Sequence, residues 1–132
     1  MGRWPVTSVL LDTHAWTWSL TGDDRLSPRA LAAIADADTV FVSPITFFEI
    51  AQKVRIGKWP EMVAFIHQLP SLLHSQGGVV AALGPSICLE AGMMDWTHRD
   101  PFDRLLAATA RQGTHLLVSA DTAFDGIVTR VW

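Results

Sequence analysis

Short β-branched and aliphatic runs alternate with helical stretches along the whole chain, and this alternation restricts the fold more than any other feature. SVLLDT reads as a buried strand ending at Asp12, TVFVSP as a second strand and GGVVAAL as a third. THLLVSAD, closed by Asp121, is a fourth, and IVTRVW the last. Between the first two, HAWTWSL turns helical, and SPRALAAIADAD has Ser27 as N-cap, Pro28 at the first helical position and Leu31, Ile34 and Ala35 on one face. Phe47, Ile50, Ala51 and Val54 follow the i, i+3, i+4, i+7 pattern of an amphipathic helix over residues 45–56, which Gly57 ends. Residues 60–75 predict another helix, and Pro85 opens one that runs to about residue 95. Pro101 opens the segment DPFDRLLAATARQ, whose end Gly113 marks. Strands and helices in this order predict an α/β fold with a central, mainly parallel sheet flanked by helices. Ligands in such folds sit outside the carboxyl ends of strands, which is where Asp12 and Asp121 fall.

A chain of 132 residues is the size of one domain, expected to span residues 1–132 around one core. No linker, repeat or low-complexity tract divides it, and its apolar runs are too short to span a bilayer, so a soluble protein without a membrane partner is expected. The opening MGRWPVTSVLLD carries a single Arg, and its apolar run stops at Asp12 without a small-residue cleavage site; it does not read as a signal peptide, which predicts a cytoplasmic location. Cys88 is the only cysteine, so no internal disulfide can form, and its helical surroundings argue against a catalytic thiol. Ten Lys and Arg against 13 Asp and Glu give a net charge of −3, which requires any grip on nucleic acid to be local. Only 17% of residues are charged, 49% are hydrophobic and six are Trp, a balance that leaves apolar side chains for a partner protein.

The acidic residues carry the chemistry. Taken singly, each has a structural explanation: Asp12 and Asp121 suit caps of the turns after their strands, Asp100 is a natural N-cap before Pro101, and Asp103 favours the helix dipole. Glu49 lies opposite the Phe47/Ile50/Val54 stripe but is flanked by Ile45, Gln52 and Ile56, so it is either an exposed residue or a half-buried acid. Half-burial costs several kcal/mol, roughly, unless the carboxylate is paired or binds metal. Asp103 shares its face with Leu106, Ala107 and Ala110 and so borders the core. Acids at strand ends and packed helix starts repel one another unless a divalent cation neutralises them, and all-oxygen ligation suits Mg²⁺ or Mn²⁺. His14 and His98 stand near Asp12 and Asp100, but neither HExxH nor a cysteine pair is present to support zinc. GxSxG, GxxxxGK[ST] and GxGxxG are all missing, which removes serine-hydrolase, P-loop and dinucleotide chemistry. Of the tryptophans, Trp16, Trp18 and Trp96 fall near the acids, although a scattered Trp set is more often core than a base-stacking surface.

Four segments together resemble the PIN domain, and within it the VapC-type toxins of bacterial toxin–antitoxin pairs. LLDTHAWTWSLTGDDRLS is similar to that family's opening strand and helix, SPITFFEIAQKVRIGK to its Glu-bearing helix, HRDPFDRLLAATA to its third acidic segment and LLVSADTAFD to its fourth. Phe47 and Phe48 stand before Glu49 where close relatives often carry Trp, a packing difference that leaves the acids untouched. The resemblance implies a three-layer PIN-like sandwich and places the metal-binding, catalytic acids on Asp12, Glu49, Asp103 and Asp121, with Thr13 and Ser119 in supporting positions and Asp100 as an uncertain extra. It further implies one or two Mg²⁺ or Mn²⁺ ions, hydrolysis of RNA phosphodiester bonds, a homodimer and a cognate VapB-type antitoxin. Arg99, Arg104 and the Lys53/Arg55/Lys58 group are candidates for holding phosphates. The antitoxin is expected to bury apolar surface near Trp16 and Trp18 and to place a basic side chain among the acids. Other readings are an RNA-processing nuclease without an antitoxin, an inactive binding module on the same fold, and a phospho-accepting domain using Asp12; the last lacks the acidic pair and lysine it would need.

Overall fold

The computed structural model describes residues 7–132, so the expectation about the chain's opening falls partly on residues 1–6, outside the described residues. Strands β1 (Ser8–Leu11), β2 (Thr39–Val42), β3 (Val79–Val80), β4 (Leu116–Val118) and β5 (Arg130–Val131) form one sheet in the order β3-β2-β1-β4-β5. Every pairing is parallel, with Leu11 opposite Val42 on one side and Val118 on the other. From β1 the chain builds outward to β2 and β3, then returns to add β4 and β5 on the opposite side. The reversal leaves a crevice between the carboxyl ends of β1 and β4.

Alternation along the central strands divides the core between two faces. Val9, Leu11, Val42 and Val118 pack with Trp16, Ala30, Ile50, Met62 and Leu73. These come from α1 (Thr13–Thr21), α2 (Pro28–Asp36), α3 (Pro44–Arg55), a 3-10 segment (Pro60–Gln68) and α4 (Leu69–Ser75). Leu10 and Leu117 point the other way, onto Leu106, Ala107 and Ala110 of α6 (Pro101–Gly113). Helix α5 (Pro85–Met93) packs outside them through Ile87 and Ala91 against Ala108. The result is the expected three layers. A fully buried Val or Leu contributes about 1.5–3 kcal/mol, so the central strands hold both helical layers. Among the described residues no helix is long and apolar enough to cross a membrane.

Local chemistry sets most of the helix ends. Ser27 accepts a hydrogen bond from the Ala30 amide at 3.0 Å and Pro28 follows it; Ser43 and Pro44 repeat the device at α3. Gly57 takes the left-handed conformation just beyond α3, as its position predicts.

Six details differ from the sequence reading. In α2 the inward face is Ala30 and Ile34, whereas Leu31 is 56% exposed and Ala35 lies on the surface. In α3, Ala51 is exposed although Ile50 is buried. Residues 60–75 do not form one helix: Pro70 cannot donate to a preceding turn, so a 3-10 segment ends at Gln68 and α4 starts afresh with Pro70 in its first turn. Only Val79–Val80 of the third strand and Arg130–Val131 of the last are paired, as edges bonded on one side. Gly113 lies inside α6, and the left-handed cap is Thr114; a side chain at 113 would run into the His115 ring, so glycine serves close approach there. Trp16 is fully buried and its indole N–H donates to Gln76 Oε1 at 3.0 Å, so it belongs to the core and offers no surface to a partner.

Candidate functional site

Asp12 follows the buried end of β1 and caps α1, accepting from the Ala15 amide at 2.8 Å. Ser119, fully buried just beyond β4, hydrogen-bonds the Asp12 carboxylate, and its Oγ accepts the Asp121 amide at 3.1 Å. One hydroxyl thus ties the two strand ends together across the crevice. Asp121 caps a short 3-10 turn (Thr122–Phe124) through the Ala123 amide at 2.9 Å.

Helix α3 brings in Glu49, whose side chain is 17% exposed, so it is a half-buried acid. It is satisfied twice: Thr13 Oγ1 donates to Oε1 at 2.7 Å and Lys53 Nζ lies 3.0 Å from Oε2. Helix α6 contributes Asp103, joined to His98 Nε2 at 2.6 Å. Asp100 caps that helix by accepting the Phe102 amide at 2.9 Å and is exposed. Asp12, Glu49, Asp100, Asp103 and Asp121 all line one open cleft of about 390 Å³, together with Thr13 and Lys53. Residues from four distant stretches of sequence therefore share one cavity at the point where the sheet's strand order reverses.

Placing acids there has an electrostatic consequence. Burial pushes the Asp12 carboxyl above its ordinary value, with Glu49 adding to the rise, against the opposing pull of Ser119, the Ala15 amide and His14. Burial also raises Asp103, reinforced by the charges of Asp100 and Asp121, while the hydrogen bond from His98 works the other way. A cleft that holds carboxylates in this state favours a cation, and hard oxygen donors match Mg²⁺ or Mn²⁺. Ligand atoms of His98, Asp100 and Asp103 also lie within 4.8 Å of one another, a possible metal-binding cluster that overlaps the acid set at Asp103.

A family model described as the PIN domain matches residues 9–128. The chain belongs to the PIN domain family. Among curated relatives it is 31% identical over 119 residues to Ribonuclease VapC22 of Mycobacterium tuberculosis, covering 88% of either chain. Solved structures with the same PIN fold include a toxin–antitoxin complex from Klebsiella pneumoniae, at a TM-score of 0.63 and 18% identity over 94% of this chain and 96% of that one. Another is VapBC2 of Rickettsia felis bound to a DNA fragment from their promoter, at 0.64 and 14% over 94% and 97%. FitAcB of Neisseria gonorrhoeae aligns at 0.61 and 20% over 92% and 95%.

Within this PIN domain the supporting positions Thr13 and Ser119 each bond an acid, whereas Arg104 does not line the cleft. Four of its five guanidinium N–H groups are taken by the carbonyls of Ala91, Met94, Trp96 and His98 at 2.6–2.9 Å. Arg99 and Arg55 are exposed and do not line the cleft. Trp96 stacks on His98 and Phe124 behind the acids and does not line it either. The sequence reading missed the pairing of Lys53 with Glu49 and the bond from His98 to Asp103. The i,i+4 spacing of Glu49 and Lys53 was the available signal for the first.

Proposed function

We propose that this PIN-domain protein is a divalent-metal-dependent endoribonuclease and the toxin of a toxin–antitoxin pair. The observation that carries the reading is the convergence of Asp12, Glu49, Asp103 and Asp121 on one cleft, with Asp12 and Asp103 held above their ordinary pKa by burial. The names of the relatives point the same way: one is a ribonuclease and others are toxin–antitoxin complexes.

Asp12, Glu49, Asp103 and Asp121 would hold Mg²⁺ or Mn²⁺. When bound, such a cation lowers the pKa of water and neutralises charge on a phosphodiester, the chemistry that RNA hydrolysis needs. The chain's own residues arrange the donors. Ser119 fixes Asp12 relative to Asp121, Thr13 and Lys53 fix the two oxygens of Glu49, and His98 fixes one oxygen of Asp103. Lys53, at the rim, offers positive charge to a phosphate that approaches the acids. The accompanying features are a cytoplasmic single domain over residues 1–132, a homodimer and a cognate antitoxin that places a basic side chain among the acids.

The test is cleavage of total RNA by the purified protein in Mg²⁺ or Mn²⁺ and in EDTA, with melting curves in the same buffers. Cleavage should need the cation, and the cation should raise the melting temperature by mass action. Undiminished cleavage in EDTA would overturn the metal role, and a folded protein that leaves RNA intact in either cation would overturn the nuclease reading.

A further inference from the structure

A second groove opens directly beside the acid cleft. It measures about 570 Å³, within the roughly 300–1,000 Å³ typical of ligand sites, and shares His14, Trp18 and Lys53 with the cleft as common wall. Asp12, Glu49, Asp103 and Asp121 do not extend into it, and its own acids are Asp23 and Glu61, both of which act on Arg25. Instead the exposed His14 imidazole sits between two indoles, 5.3 Å from the Trp18 ring and 5.4 Å from Trp59. Cations surround these rings: Arg25 lies 4.9 Å from the Trp18 centroid and Lys53 lies 5.4 Å from that of Trp59.

The charges of the groove are unequally committed. Arg25 is held by Asp23 at 2.7 and 3.1 Å, and Lys53 by Glu49. Lys58 also lines the groove and has no ion-pair partner among the described residues. An exposed ring backed by aromatic neighbours, next to an uncommitted ammonium, is the combination that binds single-stranded nucleic acid: bases stack on the rings and phosphates meet the cation.

We infer that the His14/Trp18/Trp59 groove is a nucleotide subsite for single-stranded RNA, in which a base beside the scissile phosphate stacks on His14 and Trp59 and the next phosphate meets Lys58. The inference rests on the ribonuclease reading above, since continuity with the acid cleft is what identifies the occupant. A strand whose phosphate lies at the acids has to leave the cleft along one of its walls, and this wall combines aromatic rings with the uncommitted charge of Lys58. In a chain of net charge −3, Lys58 gives the groove a local positive charge for a polyanion.

The test is fluorescence anisotropy of a labelled eight-nucleotide single-stranded RNA on the full chain carrying Asp103→Asn in Mg²⁺, so that binding is read without turnover. His14→Ala removes ring contacts with Trp18 and Trp59, and Trp59 also touches the core, so both alanine variants are paired with the corresponding phenylalanine variant and with melting curves. Both alanine variants should weaken binding by about 5-fold to 100-fold, the range for losing one stacked base. His14→Phe and Trp59→Phe should restore most of it. Lys58→Gln should lower the slope of log affinity against log salt by about 0.7. A duplex of the same sequence should show no dependence on His14. Unchanged RNA binding in His14→Ala and Trp59→Ala overturns the subsite, and if the unsubstituted chain still cleaves RNA the ribonuclease reading stands without it. A chain that neither binds nor cleaves RNA overturns both. Loss of binding to a partner protein in His14→Ala with RNA affinity unchanged overturns the subsite by assigning the groove to that partner.

Discussion

The two ends of the sheet face solvent in opposite ways. At the carboxyl ends of β1 and β4, acids from separate segments share a cleft, and Asp12 and Asp103 are held against their preference for water. At the amino ends lies another hollow, of about 440 Å³, lined by Arg111, His115 and Ile127 among others and by no carboxylate. There the titratable group is settled: Ser8 Oγ meets His115 Nδ1 at 2.6 Å and the ring stacks on Phe41 at 4.6 Å. Burial lowers the His115 pKa and so favours its uncharged form. The two hollows are similar in size and differ in what they do with charge. Charge held against burial, more than volume, distinguishes the acid end from the other.

The sharpest test of that contrast lies within the acid end. Asp103→Asn keeps the shape but removes the charge a hard cation needs, so RNA cleavage should fall by at least about 100-fold, as when a group acting on reaction charge is removed. Melting temperature in EDTA should hold or rise. Asp100→Asn, which keeps a good N-cap, should cost only about a few tenths of a kcal/mol and leave most of the cleavage rate. A dead Asp100→Asn beside an active Asp103→Asn would reverse the two roles.

A smaller effect concerns pH. Both carboxyls start from 3.8 in the unfolded chain and are raised in the folded one. The folded state therefore holds its protons longer, and stability from these sites falls as pH rises from 3.8 through the raised values. In EDTA the melting temperature should drop across that window, Asp12→Asn should flatten the drop, and Mg²⁺ should recover part of it. A melting temperature that climbs in that window equally in both proteins would remove the electrostatic distinction. The smallest effect belongs to the other end. Ser8→Ala leaves His115 Nδ1 without its partner and should cost about 1 kcal/mol in chemical denaturation, with cleavage unchanged. Lost cleavage there would mean that the two ends are coupled.

Much of this architecture is legible in the sequence because it is written in local terms. Ser27–Pro28 and Asp100–Pro101 announce helix starts, and the parallel strands are continuous apolar runs that need no long-range information. The acids could be nominated but their convergence could not, since Glu49 reaches Thr13 across 36 residues and only the fold makes that contact. Leu31 misled because a helical face is fixed only to within one residue until its neighbours are known; Ala30 is small enough for α2 to press against the core, and Leu31 rotates outward. The His14/Trp18/Trp59 groove was hidden for a similar reason: Trp59 follows the end of α3 and meets α1 only after the chain has turned back. Arg104 resembled a phosphate ligand because a charge on a helix start shows no sign of what its guanidinium will hold.

That guanidinium has a consequence for how the protein can change. It grips the segment between α5 and α6 wholly by main-chain oxygens, those of Ala91, Met94, Trp96 and His98, and none of its bonds depends on which side chains those residues carry. The course of the segment that leads to Asp100 is thus fastened in part independently of its own lettering. The exposed residues Asp95, Thr97 and Arg99 can be rewritten to alter what the wall displays while its course stays fixed, provided that this arginine, the packed Trp96 and the Asp103 partner His98 are kept. A single side chain thereby separates the inheritance of shape from the inheritance of preference in this part of the molecule.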